Sequence, residues 1–454
     1  MNVSPTISAI ATPNGEGAIG VMRLSGSEAL PIARRMVKTR QSDWKPNRNT
    51  FGRFMINEEV LDEVMVCYFA SPNSYTGEDV VEISFHGSSY ILDEALKHSL
   101  ALGCQLAAPG EFTQRAFLNG KLDLSQAEAV ADLIASESAA EHRMAMEQMR
   151  GGFSKEIASL REQLIHFASL IELELDFSEE DVDFANRDEL LQLIDTIFKM
   201  VDGLIRSFRY GNAIKSGVPV VIVGKPNAGK STLLNALLKE DKAIVTEIEG
   251  TTRDAIEDTI ILEGIRFRFI DTAGLRETLD EVESIGVQRS IEKMKAARIV
   301  IYLYDARESS EAHRNLLNEL RAQVAEDTLW LPVANKMDLV NTPIEALDPA
   351  INTLSITAKS SEGLQDLENA LVEKVRSLND SSQAIVVTNT RHLHALQATS
   401  VALNQARQAI ENGISGDLVA ADIREALHHL GSITGEISTD DLLGNIFGKF
   451  CIGK

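Results

Sequence analysis

The sequence predicts a multidomain protein of the α/β plus all-α kind: an N-terminal α+β module, a discontinuous helical region, and a doubly wound α/β unit inserted into that region. Three observations predict it. The chain has 454 residues, which corresponds to about three domains at roughly 150 residues each. The hydrophobic pattern changes character several times along the chain. Residues 224–231 read Gly-Lys-Pro-Asn-Ala-Gly-Lys-Ser between an apolar run and a helix-forming run, the context a phosphate-binding loop requires.

The elements follow in order. Residues 1–120 mix short β-like runs, AIGVMRLSG, EVMVCYFASP and DVVEISFHG, with one helical stretch from Ser89 to Leu102, punctuated by Gly and Pro. Residues 121–216 turn helical, with few Gly, no Pro between Leu124 and Arg209, and apolar residues recurring as in Ala127, Val130, Leu133 and Ile134. Across 217–380, the buried-strand runs VPVVIVG, ARIVIYLYDA, LWLPVANKMD and INTLSITAK alternate with helical stretches, and TIILEGIRFRFIDTAG has the look of two strands. That alternation predicts a parallel sheet covered on both faces. Residues 381–454 are helical again and finish in the tail FCIGK. The two helical stretches are expected to pack as one domain, with the α/β unit inserted at a surface loop between them.

Composition narrows the function. Acids outnumber bases 67 to 44, a formal charge of −23, so a protein that coats nucleic-acid phosphates is disfavoured and any RNA contact is local. A hydrophobic share of 44% excludes a wholly disordered chain, and 5% aromatics leaves the cores to aliphatic packing. Cys67, Cys104 and Cys451 are too scattered for a disulfide framework or a site of paired cysteines, so a reducing compartment fits. The longest apolar runs fall far short of the roughly 18 residues of a membrane span, and no basic segment precedes a long apolar stretch at the amino terminus. A soluble, cytoplasmic protein is expected.

The chemistry lies in five short motifs. Backbone N–H groups of Asn227, Ala228, Gly229, Lys230, Ser231 and Thr232 can cradle phosphate oxygens, Lys230 neutralises their charge, and the Ser231 hydroxyl suits magnesium. Thr251-Thr252-Arg253-Asp254 offers a second hydroxyl to that metal. Asp271-Thr272-Ala273-Gly274 closes a hydrophobic strand, where a carboxylate can hold the metal through water and the Gly274 N–H can sense the γ-phosphate. Asn335-Lys336-Met337-Asp338 ends another strand, and the Asp338 carboxylate can accept from guanine N1–H and its 2-amino group, which adenine cannot supply together. Thr357-Ala358-Lys359 would back the base. Each motif alone is weak; five in order, each at a strand's carboxyl end, define a guanine nucleotide site.

Leu275 stands where Ras-like switches place a water-orienting glutamine. Glu277, Glu281 and Glu283 are the nearby acidic candidates, and Arg276 is a candidate internal finger; each also reads as an ordinary surface charge.

With these motifs in place, the chain resembles the MnmE (TrmE) family of tRNA modification GTPases. The resemblance runs through ATPNGEGAIGVMRLSG, PNSYTGEDVVEISFHG, PGEFTQRAFLNGKLDLSQAEAVADLI, GKPNAGKSTLLNAL, EGTTRD, IDTAGLRETLDEVESIG and GEISTDDLLGNIFGKFCIGK. It implies a folate-binding and dimerising domain over 1–120, helical parts over 121–216 and 381–454, and a Ras-like GTPase domain over 217–380. It also implies a homodimer that acts with the FAD-carrying flavoprotein MnmG (GidA), in a heterotetrameric or larger complex, to add a carboxymethylaminomethyl group to C5 of the wobble uridine of certain tRNAs. The loop Thr246-Glu247-Ile248-Glu249-Gly250-Thr251 would lie against GTP. Asn227, Thr246, Ile248 and Thr251 would hold potassium, and Ser231 and Thr252 magnesium. Glu283 would orient the water.

The same resemblance places a tetrahydrofolate, in its 5-formyl or 5,10-methylene form, at Arg23, Glu82, Lys121 and Lys454. A carboxylate such as Glu82 suits the pterin amide and amine, while Arg and Lys suit the anionic glutamate tail. Read alone, all four are ordinary charges. Cys451, beside that tail, is a candidate reactive thiol or a packing residue; Gly453 and Lys454 do not fit a prenylation box. Two other readings stay open: a ribosome-assembly GTPase, which would want a basic RNA-binding module, and a GTP-controlled conformational switch without modification chemistry of its own.

Overall fold

A computed structural model describes residues 4–40, 44–176, 187–240, 258–270, 291–325, 328–340, 344–348, 351–378 and 386–453. The chain forms two compact units. One comprises Met1–Ile134, Met146–Asn186 and Gln405–Lys454, the other Ala135–Ala145 and Arg187–Asn404.

The first unit is built on a seven-stranded sheet: β1 (Ile7–Ile10), β2 (Gly17–Ser25), β3 (Val37–Thr39), β4 (Asn49–Ile56), β5 (Glu59–Phe69), β6 (Val80–Gly87) and β7 (Gln105–Leu106). The order is β3-β4-β5-β6-β2-β1-β7. Neighbours run antiparallel except β1 and β7. Period-2 alternation puts Met22, Leu24, Phe54, Val64, Val66, Ile83 and Phe85 on one buried face. The helices α1 (Ala29–Met36) and α2 (Ser89–Ala101) cover it with Ile32, Met36, Leu92 and Ala95. Gly20 is required there, because a Cβ on it would come within 2.5 Å of a Leu92 methyl.

Three further helices belong to this unit, α3 (Glu111–Leu118), α4 (Leu124–Ala135) and α6 (Gly152–Asp176), while α5 (Ala139–Met149) begins in the other. The long α6 packs against the helix Gly416–Thr434, with Leu160, Leu164, Phe167, Ile423, Ala426 and Leu430 buried. The last helix, Asp440–Phe447, is capped by the Thr439 hydroxyl accepting from the Leu442 N–H. Its Leu443 and Phe447 pack on Leu124, Ala127 and Phe117. The tail then runs back to the sheet, where Gly453 at φ +94° lies so near β1 that a Cβ would sit 2.3 Å from the Ile10 carbonyl oxygen.

The second unit contains α7 (Arg187–Ser216) and a six-stranded sheet of β8 (Val218–Val223), β9 (Asp258–Leu262), β10 (Ile265–Phe269), β11 (Ile299–Asp305), β12 (Leu329–Asn335) and β13 (Leu354–Ser355). The order is β13-β12-β11-β8-β10-β9, parallel but for the β9–β10 hairpin. Glu263 and Gly264, both at positive φ, make the hairpin's two-residue turn. Every residue of β11 is buried, as a central strand between two helical layers requires. On one face, α8 (Lys230–Glu240) and α10 (Leu364–Arg376) contribute Leu233, Leu237, Leu367 and Leu371. On the other, α9 (Ser310–Arg321) contributes Leu317. A further helix, α11 (Thr390–Glu411), begins in this unit. Just before it, the Val387 N–H donates to the Ser207 hydroxyl of α7 at 3.0 Å.

Candidate nucleotide-binding site

The sheet's parallel strands end on one edge, and the three motifs among the described residues, 224–231, 335–338 and 357–359, meet there. β8 stops at Val223 and the chain turns through residues 224–229 into α8. Gly224, at φ +155°, passes so close to β11 that a Cβ would lie 2.0 Å from the Leu303 carbonyl oxygen. At Gly229, φ +101°, a Cβ would lie 2.3 Å from Asn335 Nδ2. Asn227 takes the left-handed conformation, φ +62°, which its short polar side chain tolerates. The Lys230 ammonium donates to the Gly224 and Lys225 carbonyl oxygens at 2.8 and 3.0 Å, which seats it across the loop, and burial lowers its pKa. Ala228 is buried, Ser231 half-buried and Thr232 exposed. The first turn of a helix presents backbone N–H groups that suit an anion, and α8 begins at Lys230, directly after the loop.

Asn335 closes β12 and is 3% exposed. Its Nδ2 donates to the Ala228 carbonyl at 2.8 Å and its Oδ1 accepts from the Ala358 N–H at 3.0 Å. One carboxamide therefore ties the phosphate loop to the Thr357–Lys359 loop. Lys336, at φ +65°, donates to the Asn227 carbonyl at 2.7 Å and to Asp305 at 2.8 Å. Asp338 lies exposed on the 3₁₀ turn Met337–Leu339. Thr357 and Ala358 are buried and Lys359 is exposed; among the described residues the buried Thr357 Oγ1 has no hydrogen-bond partner. The arrangement can hold a phosphate chain at 224–232 and a planar base between Asp338 and the 357–359 loop.

Sequence reasoning missed three participants. Asp305, at the end of β11, accepts from Arg307 and Lys336, which hold its carboxyl well below the usual carboxylate range. Lys225 and Glu308 pair at 2.7 Å. The strand-ending Tyr-Asp-Ala is the one local signal for Asp305. Thr246, Glu247, Ile248, Glu249, Gly250, Thr251, Thr252, Asp271, Thr272, Ala273, Gly274, Arg276, Glu277, Glu281, Glu283 and Lys454 lie outside the described residues.

The first unit gathers the second set of candidates. Arg23 on β2 and Glu82 on β6 are cross-strand partners; Arg23 Nε and Nη2 donate to Glu82 Oε1 at 2.9 and 2.8 Å. Arg23 Nη1 also reaches the Gly453 carbonyl at 3.4 Å, and its guanidinium lies 5.7 Å from the Tyr75 ring centroid and 5.6 Å from that of Phe112. The structure thus joins Arg23, Glu82 and the tail. Exposed Lys121 donates instead to the Pro72 carbonyl at 2.9 Å, on the loop that carries Tyr75. Cys451 is exposed, and its carbonyl accepts from the Gly110 N–H at 3.4 Å. Cys67, opposite Glu82 in register, was not foreseen; burial, then the Glu82 charge, raises its pKa.

A doubly wound sheet with this loop constellation at its strand ends defines a P-loop nucleotide-binding protein. Family models narrow the class. Residues 6–121 match one described as the GTP-binding protein TrmE N-terminus, and residues 124–451 match one described as the MnmE helical domain. The tRNA modification GTPase MnmE of Cytophaga hutchinsonii is 52% identical over 458 residues, covering 100% of this chain and 98% of that relative. Proteins of the same name from Christiangramia forsetii and Bacteroides thetaiotaomicron are 48% and 50% identical, covering 100% and 99% of this chain and 100% and 99% of their own lengths. The chain belongs to the MnmE family. Among the described residues, no helix is long and apolar enough to cross a membrane.

Proposed function

We propose that this chain hydrolyses GTP as part of tRNA modification. The observation that carries the reading is the Asn335 carboxamide, which joins the loop suited to phosphates to the loop suited to a base. In this reading Gly229, Lys230 and Ser231 bind the phosphates, Asp338 selects guanine, and Glu283 orients the attacking water.

Potassium at Asn227, Thr246, Ile248 and Thr251, and magnesium at Ser231 and Thr252, would stabilise charge that develops between the β- and γ-phosphates. The described part of that set fits: left-handed Asn227 sits on the phosphate loop, and Ser231 sits on the first turn of α8. Two loop carbonyls hold the Lys230 ammonium across the phosphate loop.

The finer reading follows the family. With the flavoprotein MnmG, the chain would install a carboxymethylaminomethyl group on C5 of the wobble uridine, drawing a one-carbon unit from tetrahydrofolate held at Arg23, Glu82, Lys121 and Lys454. Aromatic Tyr75 and Phe112 beside Arg23 support a flat ligand there. Phe51 and Met65, partners in register on the face opposite α1 and α2, stay 54% and 40% exposed, which supports a homodimer that covers them. The division at residues 120, 216 and 380 remains part of this proposal, as does a cytoplasmic location.

Asp338→Asn tests the nucleotide assignment. An Asn carboxamide can donate to the 2-oxo group of xanthine where Asp accepts from the 2-amino group of guanine. The variant should exchange GTP for xanthosine triphosphate as its substrate, and undiminished GTP affinity would contradict the assignment.

A further inference from the structure

The phosphate loop is held from outside by one short turn. Asp305 ends β11, and Ala306, Arg307 and Glu308 lead toward α9. Asp305 reaches the loop indirectly, through Lys336 and the Asn227 carbonyl. Glu308 takes the loop's other end, where its Oε2 accepts from Lys225 Nζ at 2.7 Å. The Lys225 carbonyl is in turn one of the two seats of the Lys230 ammonium. Whatever fixes Lys225 therefore bears on Lys230.

Behind Glu308 stands a buried histidine. His313 is 1% exposed; its Nε2 lies 3.2 Å from Glu308 Oε2 and its Nδ1 lies 2.9 Å from the Tyr302 hydroxyl. The Tyr304 ring packs on the imidazole with centroids 4.7 Å apart. Burial favours the neutral ring, which has one N–H to give. The 3.2 Å approach of Nε2 to Glu308 Oε2 is a charge contact and not a hydrogen bond, because Nε2 has no hydrogen-bond partner among the described residues. Nδ1 and the Tyr302 hydroxyl are within hydrogen-bond distance, the donor depending on the tautomer. The order is Tyr302, His313, Glu308, Lys225, then Lys230.

We propose that Glu308, backed by His313, is a positioning residue for the phosphate loop: through Lys225 it keeps the Lys230 seat in the shape that retains guanine nucleotide. The proposal rests on the nucleotide-binding reading above. It asks little of folding stability, because the side chains of Lys225 and Glu308 are 43% and 40% exposed and exposed ion pairs contribute little there.

The test is the release rate of a fluorescent GDP analogue from the full-length protein, with KM and kcat for GTP and thermal unfolding measured alongside. Glu308→Ala and Lys225→Ala should each speed release roughly two- to fivefold, about what losing one partly exposed charge pair can do. KM should rise more than kcat falls, with melting temperature little changed. The double variant should be no worse than either single, Lys225→Arg should keep release near wild type, and the reversed pair Lys225→Glu with Glu308→Lys should recover part of the loss. His313→Phe, which keeps the bulk of the ring and removes its polar atoms, should move release the same way as Glu308→Ala but by less. Wild-type release in both single variants, or additive effects in the double, would overturn the proposal. A wild-type protein that does not bind the GDP analogue would instead overturn the nucleotide reading beneath it.

Discussion

Asn335 donates its side-chain N–H to the carbonyl oxygen of Ala228, 107 residues earlier in the chain, at 2.8 Å, while its other amide atom accepts from Ala358. Two loops that each need a fixed shape are thereby set by one buried side chain. Asn335→Ala would leave two buried backbone groups without partners, at about 1–3 kcal/mol each. Thermal unfolding of the second unit should shift down and guanine nucleotide affinity should fall. Unchanged values of both would mean that the bridge does not matter.

The tail gives a separable prediction. Gly453 adopts φ +94° against the Ile10 carbonyl and offers its own carbonyl to Arg23. Gly453→Ala adds a Cβ where there is no room, so the tail must move off β1. Binding of 5-formyltetrahydrofolate, followed by calorimetry, should weaken, while GTP hydrolysis should not change. Wild-type folate affinity in that variant would detach the tail from the site.

The three thiols should report their surroundings. Cys451 is exposed, Cys67 is half-buried with a raised pKa, and burial pushes Cys104 up to about 11. Alkylation of the native protein near neutral pH, read by mass spectrometry, should label Cys451 first and Cys104 last. The sign for stability also follows. The native thiol of Cys104 keeps its proton above the ordinary value of 9.0, so stability is fully present below that value and falls as pH rises toward about 11. Cys104→Ala should flatten that fall; early labelling of Cys104 would contradict its burial.

Hydrolysis should depend on the cation and on Glu283. Replacing potassium by sodium should slow turnover on the order of tenfold or more if a cation stabilises the developing charge. Glu283→Ala should bind GTP normally yet hydrolyse it slowly. Equal rates in the two salts would remove potassium from the account, and wild-type turnover in the variant would remove Glu283.

Much of this was readable before the structure, for identifiable reasons. The strands β8, β11 and β12 are long apolar runs, and their motifs sit at strand ends, where local pattern suffices. The run TIILEGIRFRFIDTAG looked like two strands, and the structure makes it the β9–β10 hairpin. By contrast, β1, β3 and β7 are two to four residues long, too short for periodicity to register. The pairing of Arg23 with Glu82 depends on the register of β2 and β6, and that of Lys225 with Glu308 on the packing of distant loops; neither leaves a local signal. The acidic composition had argued against coating nucleic acid, and it still confines any direct tRNA contact to local basic sites.

In the function proposed for this chain, GTP turnover at this site serves wobble-uridine modification. Its most direct test is mass spectrometry of tRNA from a strain that lacks the protein, supplied with either the wild-type chain or Lys230→Ala. The wild type should restore the carboxymethylaminomethyl group, and Lys230→Ala, which lacks the ammonium seated across the phosphate loop, should not. Full modification with Lys230→Ala that binds and hydrolyses no GTP would contradict it.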